Sequence, residues 1–514
     1  MLTGLSGIGG LINIKTREYS APETSVEVEY GKFNTLHAHL STGNKIGSFG
    51  YAAGIGYDGT NGPEGMHSKE TMGTFYSRLT WQVSERLNLM THLYYLDGKR
   101  QLTVAQPPAD VRYINMLQNF DPYRAVLSNL KAVYRLNRNL STELQLFYSY
   151  RNPQFNDEVA GTSTSEKDIE WGFNFMQSVS IKSSNTLRLG GLYDHWIAPN
   201  GKRFYTGKKC NTETFSGVIV DEQRFGPVTL DAGFRWTKTY LIDYAAFNIQ
   251  GEGGAFRNVT PLHDIWEPAT IQGSFGISYH TASELSVNFN SAIGQVKPRE
   301  GTLDTDFKVP GNETRLKTDL GMVQQFGNGG KGTIAIFSVI QKNALALSGT
   351  TYTDTSLNII RELYINRDQN QAGIEFEMVA PRLLRTAQPF FNLLVMRSTM
   401  MSDSGMIPNK ENPKVITSGG VYLDRWNIDL NIFLKYVSSF ENIRFASKTA
   451  GPQPLGDYLS IDLNAGYTFK GKVPLRLYFR IRNLTDSRYS TVVGYPDFGR
   501  SLYMGIRFSL AGEN

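Results

Sequence analysis

Two histidines separated by one residue raise the question of a metal contact. The stretch TLHAHL places His37 and His39 between aliphatic residues. In an extended strand this alternation puts both imidazoles on one face and the aliphatic side chains on the other. Two adjacent imidazoles are suitable ligands for a transition metal ion. The alternative is a pair of polar side chains hydrogen-bonded to their neighbours. The sequence favours that alternative and assigns no metal site.

Residue patterns typical of enzymes do not occur in the sequence. It has no GxSxG or HExxH motif and no paired Cys and His. Cys210 is the single cysteine, which excludes an intramolecular disulfide and a metal site with several cysteines. The net charge of +5 is mild for 514 residues, and no basic cluster indicates nucleic acid. We therefore expect neither catalysis nor a cofactor nor a nucleic-acid partner.

Arginine and aromatic residues recur in the longer connecting segments. Guanidinium groups and ring faces together suit large, flat, anionic ligands such as ferric catecholates, through charge and stacking. The candidates for ligand contact are Arg112, Tyr113, Tyr123, Arg124, Tyr495 and Arg500. Residues of the same types in these segments are Phe120, Phe204, Tyr205, Trp266, Tyr352, Phe440, Arg444 and Phe498. Such residues also occur in loops without binding anything, so the sequence does not choose among them.

Alternation with a period of two predicts the elements that carry these residues. In YLSIDLNAGYTF, Leu459, Ile461 and Leu463 share one face and Asp462 lies on the other. Segments 475–482 and 502–510 alternate in the same way and place arginines on the polar face. An arginine would be costly in an apolar core but not in a water-filled lumen. We therefore expect Leu459, Ile461 and Leu463 to face lipid and Asp462 to face a lumen.

One predicted strand also gives a dimension. In WNIDLNIFLKY, Trp426 and Tyr436 fall on the same face, ten residues apart. At about 3.3 Å per residue and a tilt near 45°, the two rings would be roughly 23 Å apart along the membrane normal. That separation matches the apolar band of about 25 Å, bordered by aromatic residues, of outer-membrane barrels.

The connections between strands are the most specific feature. The sequence contains about 22 strand candidates, and from the second strand onward short and long connections alternate. The short connections lie near residues 84, 137, 183, 225, 281, 327, 381, 424 and 470. The long ones span about 97–122, 152–167, 199–212, 243–265, 295–313, 348–362, 397–413 and 439–456. This alternation predicts an all-β fold, a transmembrane antiparallel β-barrel with short periplasmic turns and long extracellular loops.

Several segments resemble TonB-dependent outer-membrane receptors. GIGGLINIKTR (7–17) is similar to the end of that family's plug domain. Segments 213–236, 364–377 and 481–489 resemble a family hairpin, a Tyr-x-Asn strand and an Asn-Leu-x-Asp element, and 494–510 resembles the final loop and closing strand. The resemblance implies that residues 1–20 are the C-terminal remnant of a plug domain and that 21–514 form the barrel, in the outer membrane of a Gram-negative bacterium.

The resemblance also implies a function. It implies uptake of a large, scarce ligand, an iron–siderophore or cobalamin-like complex, driven by the TonB complex of the inner membrane. It implies a monomer in contact with outer-membrane lipid and lipopolysaccharide. We expect no signal peptide at the start of this sequence and no coupling box, so two alternatives stay open: a passive outer-membrane pore or a non-functional truncated barrel. The DNA upstream of Met1 would discriminate among them.

Five arginines are expected to face the lumen, namely Arg235, Arg476, Arg480, Arg482 and Arg507. They would create a positive field that attracts anionic ligands, or they would pair with acidic residues of the barrel and plug. The second reading is favoured. Without a plug, Arg476, Arg480 and Arg482 are expected to lose their partners and face water.

Overall fold

The structure is a computed structural model that describes residues 16–182, 184–201, 208–247, 259–281, 283–298, 302–354, 359–402, 404–447, 449–471 and 473–511. The 22 barrel strands are β1 (Glu23–Gly31), β2 (Thr35–Ile46), β3 (Phe49–Thr60), β4 (Glu70–Gln82), β5 (Leu87–Leu102), β6 (Gln118–Arg135), β7 (Leu140–Arg151), β8 (Asp168–Ile181), β9 (Asn185–Ala198), β10 (Cys210–Phe225), β11 (Val228–Phe247), β12 (Thr270–His280), β13 (Leu285–Val296), β14 (Glu313–Phe326), β15 (Gly330–Asp354), β16 (Ile359–Val379), β17 (Ala387–Ser402), β18 (Val415–Arg425), β19 (Ile428–Val437), β20 (Tyr458–Phe469), β21 (Leu475–Arg482) and β22 (Ser501–Ala511).

These strands form one closed antiparallel barrel. Each strand pairs with its neighbours along the chain, and β22 pairs with β1 in a register that places Phe508 beside Val26. Closure removes every free edge, which a sheet in lipid requires because lipid offers no hydrogen bonds. The predicted fold class, the number of strands and the position of the closing strand are confirmed.

The two faces of the wall differ in polarity. On β1, Val26 and Val28 are exposed on the convex face, whereas Glu29 is only 5% exposed on the concave face. On β20, Leu459 is 44% exposed, and the Asp462 carboxylate accepts a hydrogen bond from the Asn483 amide at 2.8 Å. An apolar convex face and a polar concave face suit a barrel with lipid outside and water inside. The predicted orientation of β20 agrees with this arrangement.

Short and long connections lie at opposite ends of the barrel. At one end the strands are joined by two to seven residues, and at the other most connections contain nine or more. The long connections also carry a helix at Val111–Ile114 and the short strands Gln154–Asp157, Thr162–Ser165, Val259–Trp266, Gly405–Pro408, Phe440–Asn442, Gln453–Leu455, Ser490–Val492 and Tyr495–Pro496. At the same end, β1 and β2 are joined by a 3-10 turn, Lys32–Asn34. By the plan of outer-membrane barrels, the long connections are extracellular. Within the described residues no helix is both long and apolar enough to cross a membrane.

Two local predictions about the strands are wrong. Segment 348–362 was expected to be a loop, but β15 and β16 continue through most of it and contain 25 and 21 residues. About 10 residues suffice to cross the bilayer, so this hairpin extends beyond it. Trp426 was expected on the lipid face of a strand, but β19 begins at Ile428 and Trp426 occupies the preceding turn with a φ of 54°.

The chain just before β1 lies against the inner wall. Arg78 on β4 forms an ion pair with Glu18 and donates a hydrogen bond to the Thr16 carbonyl at 3.0 Å. The Tyr19 ring covers Gly43 on β2, where a Cβ atom would collide with it. Of the stretch 7–17 proposed as the end of a plug, residues 7–15, with all of its glycines, lie outside the described residues.

Candidate functional site

Three extracellular loops pack together over the mouth of the barrel. Loop A is 103–117, between β5 and β6; loop B is 438–457, between β19 and β20, described except for residue 448; loop C is 483–500, between β21 and β22. Apolar side chains are buried here, as in a soluble domain: Ala105 of loop A, Val493 of loop C and Met66, in the connection between β3 and β4, are 1–2% exposed. The mouth therefore has its own small core.

Loops A and B are joined by main-chain hydrogen bonds and by aromatic rings. The Phe445 carbonyl accepts a hydrogen bond from the Asp110 amide at 2.9 Å, and the Ser447 amide donates to the Pro108 carbonyl at 3.1 Å. The rings of Tyr113 and Phe445 meet edge to face with centroids 4.7 Å apart. Edge-to-face geometry is a favourable arrangement of two aromatic rings. These contacts fix the two loops relative to each other.

Loop C touches loop A at a glycine. The Gly494 carbonyl accepts a hydrogen bond from the Gln106 amide at 2.8 Å. Gly494 has a φ of 84°, and a Cβ atom there would lie 2.8 Å from the side chains of Ala105 and Ala109. Both the left-handed backbone and the close approach call for a residue without a side chain. Gly494 is thus the point at which loop C docks.

A cavity of about 400 Å³ lies where loops A and B meet the extended hairpin of β15 and β16. Arg112 and Tyr113 line it from loop A, Phe445 from loop B, and Glu362 and Leu363 from β16. The β15–β16 hairpin is ten strands from β5 and β6 in a barrel of 22, so loop A reaches across the mouth to the far wall. A cavity of this size is typical of sites for small molecules or for one part of a large ligand.

The charges around the cavity have mixed signs. The Arg112 guanidinium pairs with Asp110 at 2.8 Å and lies over the Tyr113 ring, 5.4 Å from its centroid. Burial raises the pKa of the Glu362 carboxyl, although the nearby Arg444 and Arg112 act to lower it. Burial, and then the charge of Glu362, raise the pKa of the Tyr113 phenol. The phenol thus stays neutral, and it offers a hydrogen bond beside two guanidinium groups and a carboxylate.

The structure separates the six candidates of the sequence into two groups. Arg112 and Tyr113 line the cavity, and Tyr495 is next to it, with its ring 6.0 Å from that of Phe445. The other three lie elsewhere: Tyr123 and Arg124 are on β6, with Arg124 bound to Asp97 at 2.9 Å, and the Arg500 amide donates to Asp486 at 2.7 Å. Of the further aromatic residues named, Phe204 and Tyr205 fall outside the described residues.

Of the aromatic and charged residues that line the cavity, two were not candidates from the sequence, namely Phe445 and Glu362. Phe445 directly follows Arg444, one of the loop arginines noted in the sequence. Its φ of 65° is not predicted by any sequence pattern. Glu362 was counted within an expected loop, and no pattern connects it to loop A, about 250 positions earlier in the chain. Aromatic and arginine residues therefore predicted the part of the cavity that loop A forms, but not the part that the opposite wall forms.

The lumen arginines have partners on the barrel itself. Arg476 binds Asp429 at 2.5 Å, Arg480 forms an ion pair with Glu29, and Arg507 donates a hydrogen bond to the Ser25 hydroxyl at 3.2 Å. Arg482 lies over the Tyr503 ring, 5.7 Å from its centroid, and Arg235 is 4% exposed. The expectation that Arg476 and Arg480 depend on a plug is therefore wrong, because acidic residues of the barrel, two strands away on either side, neutralise them.

The two histidines of TLHAHL do share the inner face. They are in register with Glu29 and Glu27 of β1, on the same side of the wall as Gly43 and Tyr19. The other neighbour of β2 is β3, and its Asp58 lies opposite His37 on the same inner face. The sequence alone did not connect this acidic residue to the histidines. The His37 Nδ1 atom and the Asp58 carboxylate are 2.5 Å apart.

Comparison with known proteins agrees with this architecture. Residues 162–484 match the family model described as TonB dependent receptor-like, beta-barrel. Because the match covers more than half of the chain, this protein belongs to the family of TonB-dependent receptors, and the resemblance seen in the sequence is confirmed. The members of the family are receptors and transporters, and membership implies an outer-membrane protein of a Gram-negative bacterium.

Solved structures share the fold at low sequence identity. The copper transporter OprC has a TM-score of 0.76 and 11% identity, over 96% of this chain and 82% of OprC. The FrpB iron transporter from Neisseria meningitidis has a TM-score of 0.71 and 11% identity, over 96% and 82% of the two chains. The ferric-catecholate import receptor Fiu from E. coli K12 has a TM-score of 0.70 and 12% identity, over 98% and 83%. A search of curated proteins finds no match.

Proposed function

We propose that this protein takes up a large, scarce metal complex across the outer membrane, an iron–siderophore or a cobalamin-like corrinoid. The mouth cavity carries the proposal, because it joins Arg112 and the rings of Tyr113 and Phe445 in a cleft built from three separate parts of the chain, with Arg444 over the Phe445 ring beside it. Family membership supports transport, and the similar solved structures include a copper transporter, an iron transporter and a ferric-catecholate import receptor.

The chemistry of the cavity favours an anionic aromatic ligand over a neutral one. Arg112 and Arg444 supply positive charge, and each guanidinium also lies over a ring, that of Tyr113 or of Phe445. A ferric catecholate combines negative charge with flat rings, so it uses both properties at once. A corrinoid would use the ring faces alone. We therefore rank the ferric catecholate first and assign ligand contact to Arg112, Tyr113 and Tyr495.

The rest of the proposal concerns partners and domains. Uptake is driven by the TonB complex, and the barrel is a monomer whose convex face contacts lipid and lipopolysaccharide. Residues 1–20 form the C-terminal end of a plug domain, and 21–514 form the barrel. The contacts of Glu18 with Arg78 and of Tyr19 with Gly43 support an approach of the chain to β1 from within the lumen.

Ligand binding to the purified chain tests the proposal. A ferric tris-catecholate and cyanocobalamin are titrated separately in detergent, with binding followed by tryptophan fluorescence. The double variant Arg112→Ala with Tyr113→Ala is expected to bind the ferric catecholate about 30-fold more weakly, since truncating a central Tyr or Arg often costs about 2 kcal/mol. The matched variant Tyr123→Ala with Arg124→Ala removes the same residue types outside the cavity and is expected to retain binding. Equal losses in the two variants, or no binding of either ligand by folded protein, would contradict the proposal.

Uptake by cells provides a second arm. Iron-limited cells that carry the gene are expected to grow on the ferric catecholate, and removal of TonB is expected to abolish that growth. Growth that is independent of TonB would favour passive diffusion through the barrel.

A further inference from the structure

We propose that His37, His39 and Asp58 form a binding site for a divalent transition metal ion on the inner wall of the barrel. Among the described residues, these three form a group in which one ligand atom from each lies within 4.8 Å of the others. The site shares no residue with the mouth cavity, and the proposal does not depend on what that cavity binds.

The backbone of two adjacent strands brings the three ligands together. His37 and His39 are two positions apart on β2, so both point inward, and Asp58 on β3 lies in register with His37. The Asp58 carboxylate oxygen is 2.5 Å from His37 Nδ1 and 3.4 Å from His39 Nε2. Around a metal ion, ligand atoms about 2.0–2.2 Å from the centre lie roughly 3–3.5 Å from one another. A small outward movement of His37 from Asp58 therefore opens a position for the ion.

Glycine leaves space for one of the imidazoles. His39 lies opposite Gly56 on β3, and a Cβ atom at that position would be 2.6 Å from His39 Nδ1. A larger residue there would push the ring away from Asp58. The side chains of the three ligands are 35–47% exposed, so water can complete the coordination of an ion bound to them.

The carboxylates around the site show which of them is available. Glu29 is paired with Arg480, and Glu27 accepts a hydrogen bond from the Tyr478 hydroxyl at 2.6 Å. In the described part of the chain, the ion pairs of Asp58 are with the two histidines and none is with a lysine or arginine. Asp58 can thus exchange its hydrogen bond with His37 for a bond to a cation, whereas Glu27 and Glu29 are occupied.

The ligand types select the class of ion. Two imidazoles and one carboxylate suit Zn²⁺, Ni²⁺ and Cu²⁺, whereas Ca²⁺ and Mg²⁺ prefer sites made only of oxygen atoms. Among the divalent first-row ions, Cu²⁺ is expected to bind most tightly. The site therefore takes a free or weakly complexed ion of this class at the lumen surface, on the path of any solute that passes through the mouth.

Titration of the tag-free, full chain with Cu²⁺ in detergent tests the proposal, by calorimetry and by electron paramagnetic resonance. One ion per chain is expected to bind, with a spectrum that reports two nitrogen ligands. The double variant His37→Ala with His39→Ala is expected to lose more than about 100-fold in affinity, because even the loss of an outer-shell partner costs about 10–100-fold. Asp58→Asn is expected to weaken binding while the two nitrogen ligands remain visible in the spectrum.

Two other histidines serve as matched controls. His92 also faces the lumen, opposite Arg78, but has no second histidine beside it. His263 pairs with Asp243 at 2.9 Å, so it represents a carboxylate with one histidine in place of two. His92→Ala and His263→Ala are expected to bind Cu²⁺ as the unchanged chain does. If His37→Ala with His39→Ala fails to fold, His37→Gln with His39→Gln replaces it, with heat-modifiable migration as the check of folding. Unchanged stoichiometry and spectrum in a folded double variant, or equal loss in either control, would overturn the proposal.

Discussion

The wall of the barrel and its mouth are stabilised in different ways. In the wall, side chains alternate between lipid and lumen, so apolar residues such as Val26 remain exposed to the outside and the polar groups pair across strands. In the mouth, loops A, B and C surround buried apolar side chains, and a second cluster joins Leu303, in a connection, with Cys210 and Leu363 at the extracellular ends of their strands. The bilayer supplies the apolar surroundings of the wall, whereas the mouth must build an apolar interior from its own residues.

If this comparison is correct, charge on the lipid face is the most damaging change to the molecule. Phe508 and Leu510 lie on the convex face of β22, the strand that closes the barrel onto β1. Replacing both with Asp puts two charges against lipid on the closing strand, and it is expected to remove most of the folded, heat-modifiable protein from the outer membrane. Electrophoresis of unheated membrane samples measures that fraction.

Ser509 offers a control on the same strand. Ser509 lies between those two residues in the sequence, and its side chain faces the lumen, opposite Ser25. Ser509→Asp introduces one of these two negative charges on the wet side and is expected to leave the folded fraction nearly unchanged. A similar loss in both variants would mean that the strand is sensitive to any substitution, and the contrast between its two faces would then be lost.

The next largest effect is expected in the mouth and should stay there. Gly494→Ala places a Cβ atom 2.8 Å from Ala105 and Ala109 and also strains a left-handed backbone, which alone costs about 1–2 kcal/mol. The Gln106 amide, bound to the Gly494 carbonyl, is expected to exchange with deuterium at least about tenfold faster, since 1.4 kcal/mol is a factor of ten. Hydrogen exchange followed by mass spectrometry measures this.

Backbone strain and collision are separated by a second glycine. Gly161 has a φ of 64° with open space around its Cα, so Gly161→Ala adds strain without a collision. This variant is expected to leave the hydrogen-exchange rate of the Gln106 amide unchanged. In both variants the wall should unfold at the unchanged denaturant concentration. If Gly494→Ala also weakens the wall, the mouth and the wall form one cooperative unit and the distinction fails.

The same difference explains what the sequence predicted. Alternation and connection lengths depend on local pattern, so the closing strand, the count of 22 and the inward direction of His37 followed from it. The partners of inward residues did not follow, because the register between strands decides that Asp58 lies beside His37 and that Glu29 reaches Arg480 from two strands away. In the mouth, Tyr113 and Phe445 meet across more than 300 positions, and no periodicity links them. The alternating pattern extended to Trp426, but the positive φ of that residue places it in the turn before β19, which its residue type did not predict.

The smallest predicted effect concerns the charge of Glu362 in the mouth cavity. Burial raises the pKa of this carboxyl, so its ionised form is disfavoured in the folded loops relative to the unfolded chain. The stabilisation that this group provides is thus present below its unfolded pKa and is lost as the pH rises through the raised folded pKa. Glu362→Gln is expected to make the loops more stable at pH 7, to remove this part of their pH dependence and to leave the wall unchanged, as measured by hydrogen exchange at pH 4 and pH 7.

The same substitution distinguishes a structural carboxyl from one that repels ligand. Glu411 has a pKa raised by burial as well, and it lies in the connection between β17 and β18, outside the cavity. Both Glu362→Gln and Glu411→Gln should therefore stabilise loops at pH 7. Only Glu362→Gln should also tighten binding of a ferric catecholate, by roughly fivefold, the effect of about 1 kcal/mol that one nearby like charge exerts in water. Equal affinities for the two variants would place the ligand away from Glu362, and the binding surface would then have to be sought on the loop C side of the mouth, around Tyr495.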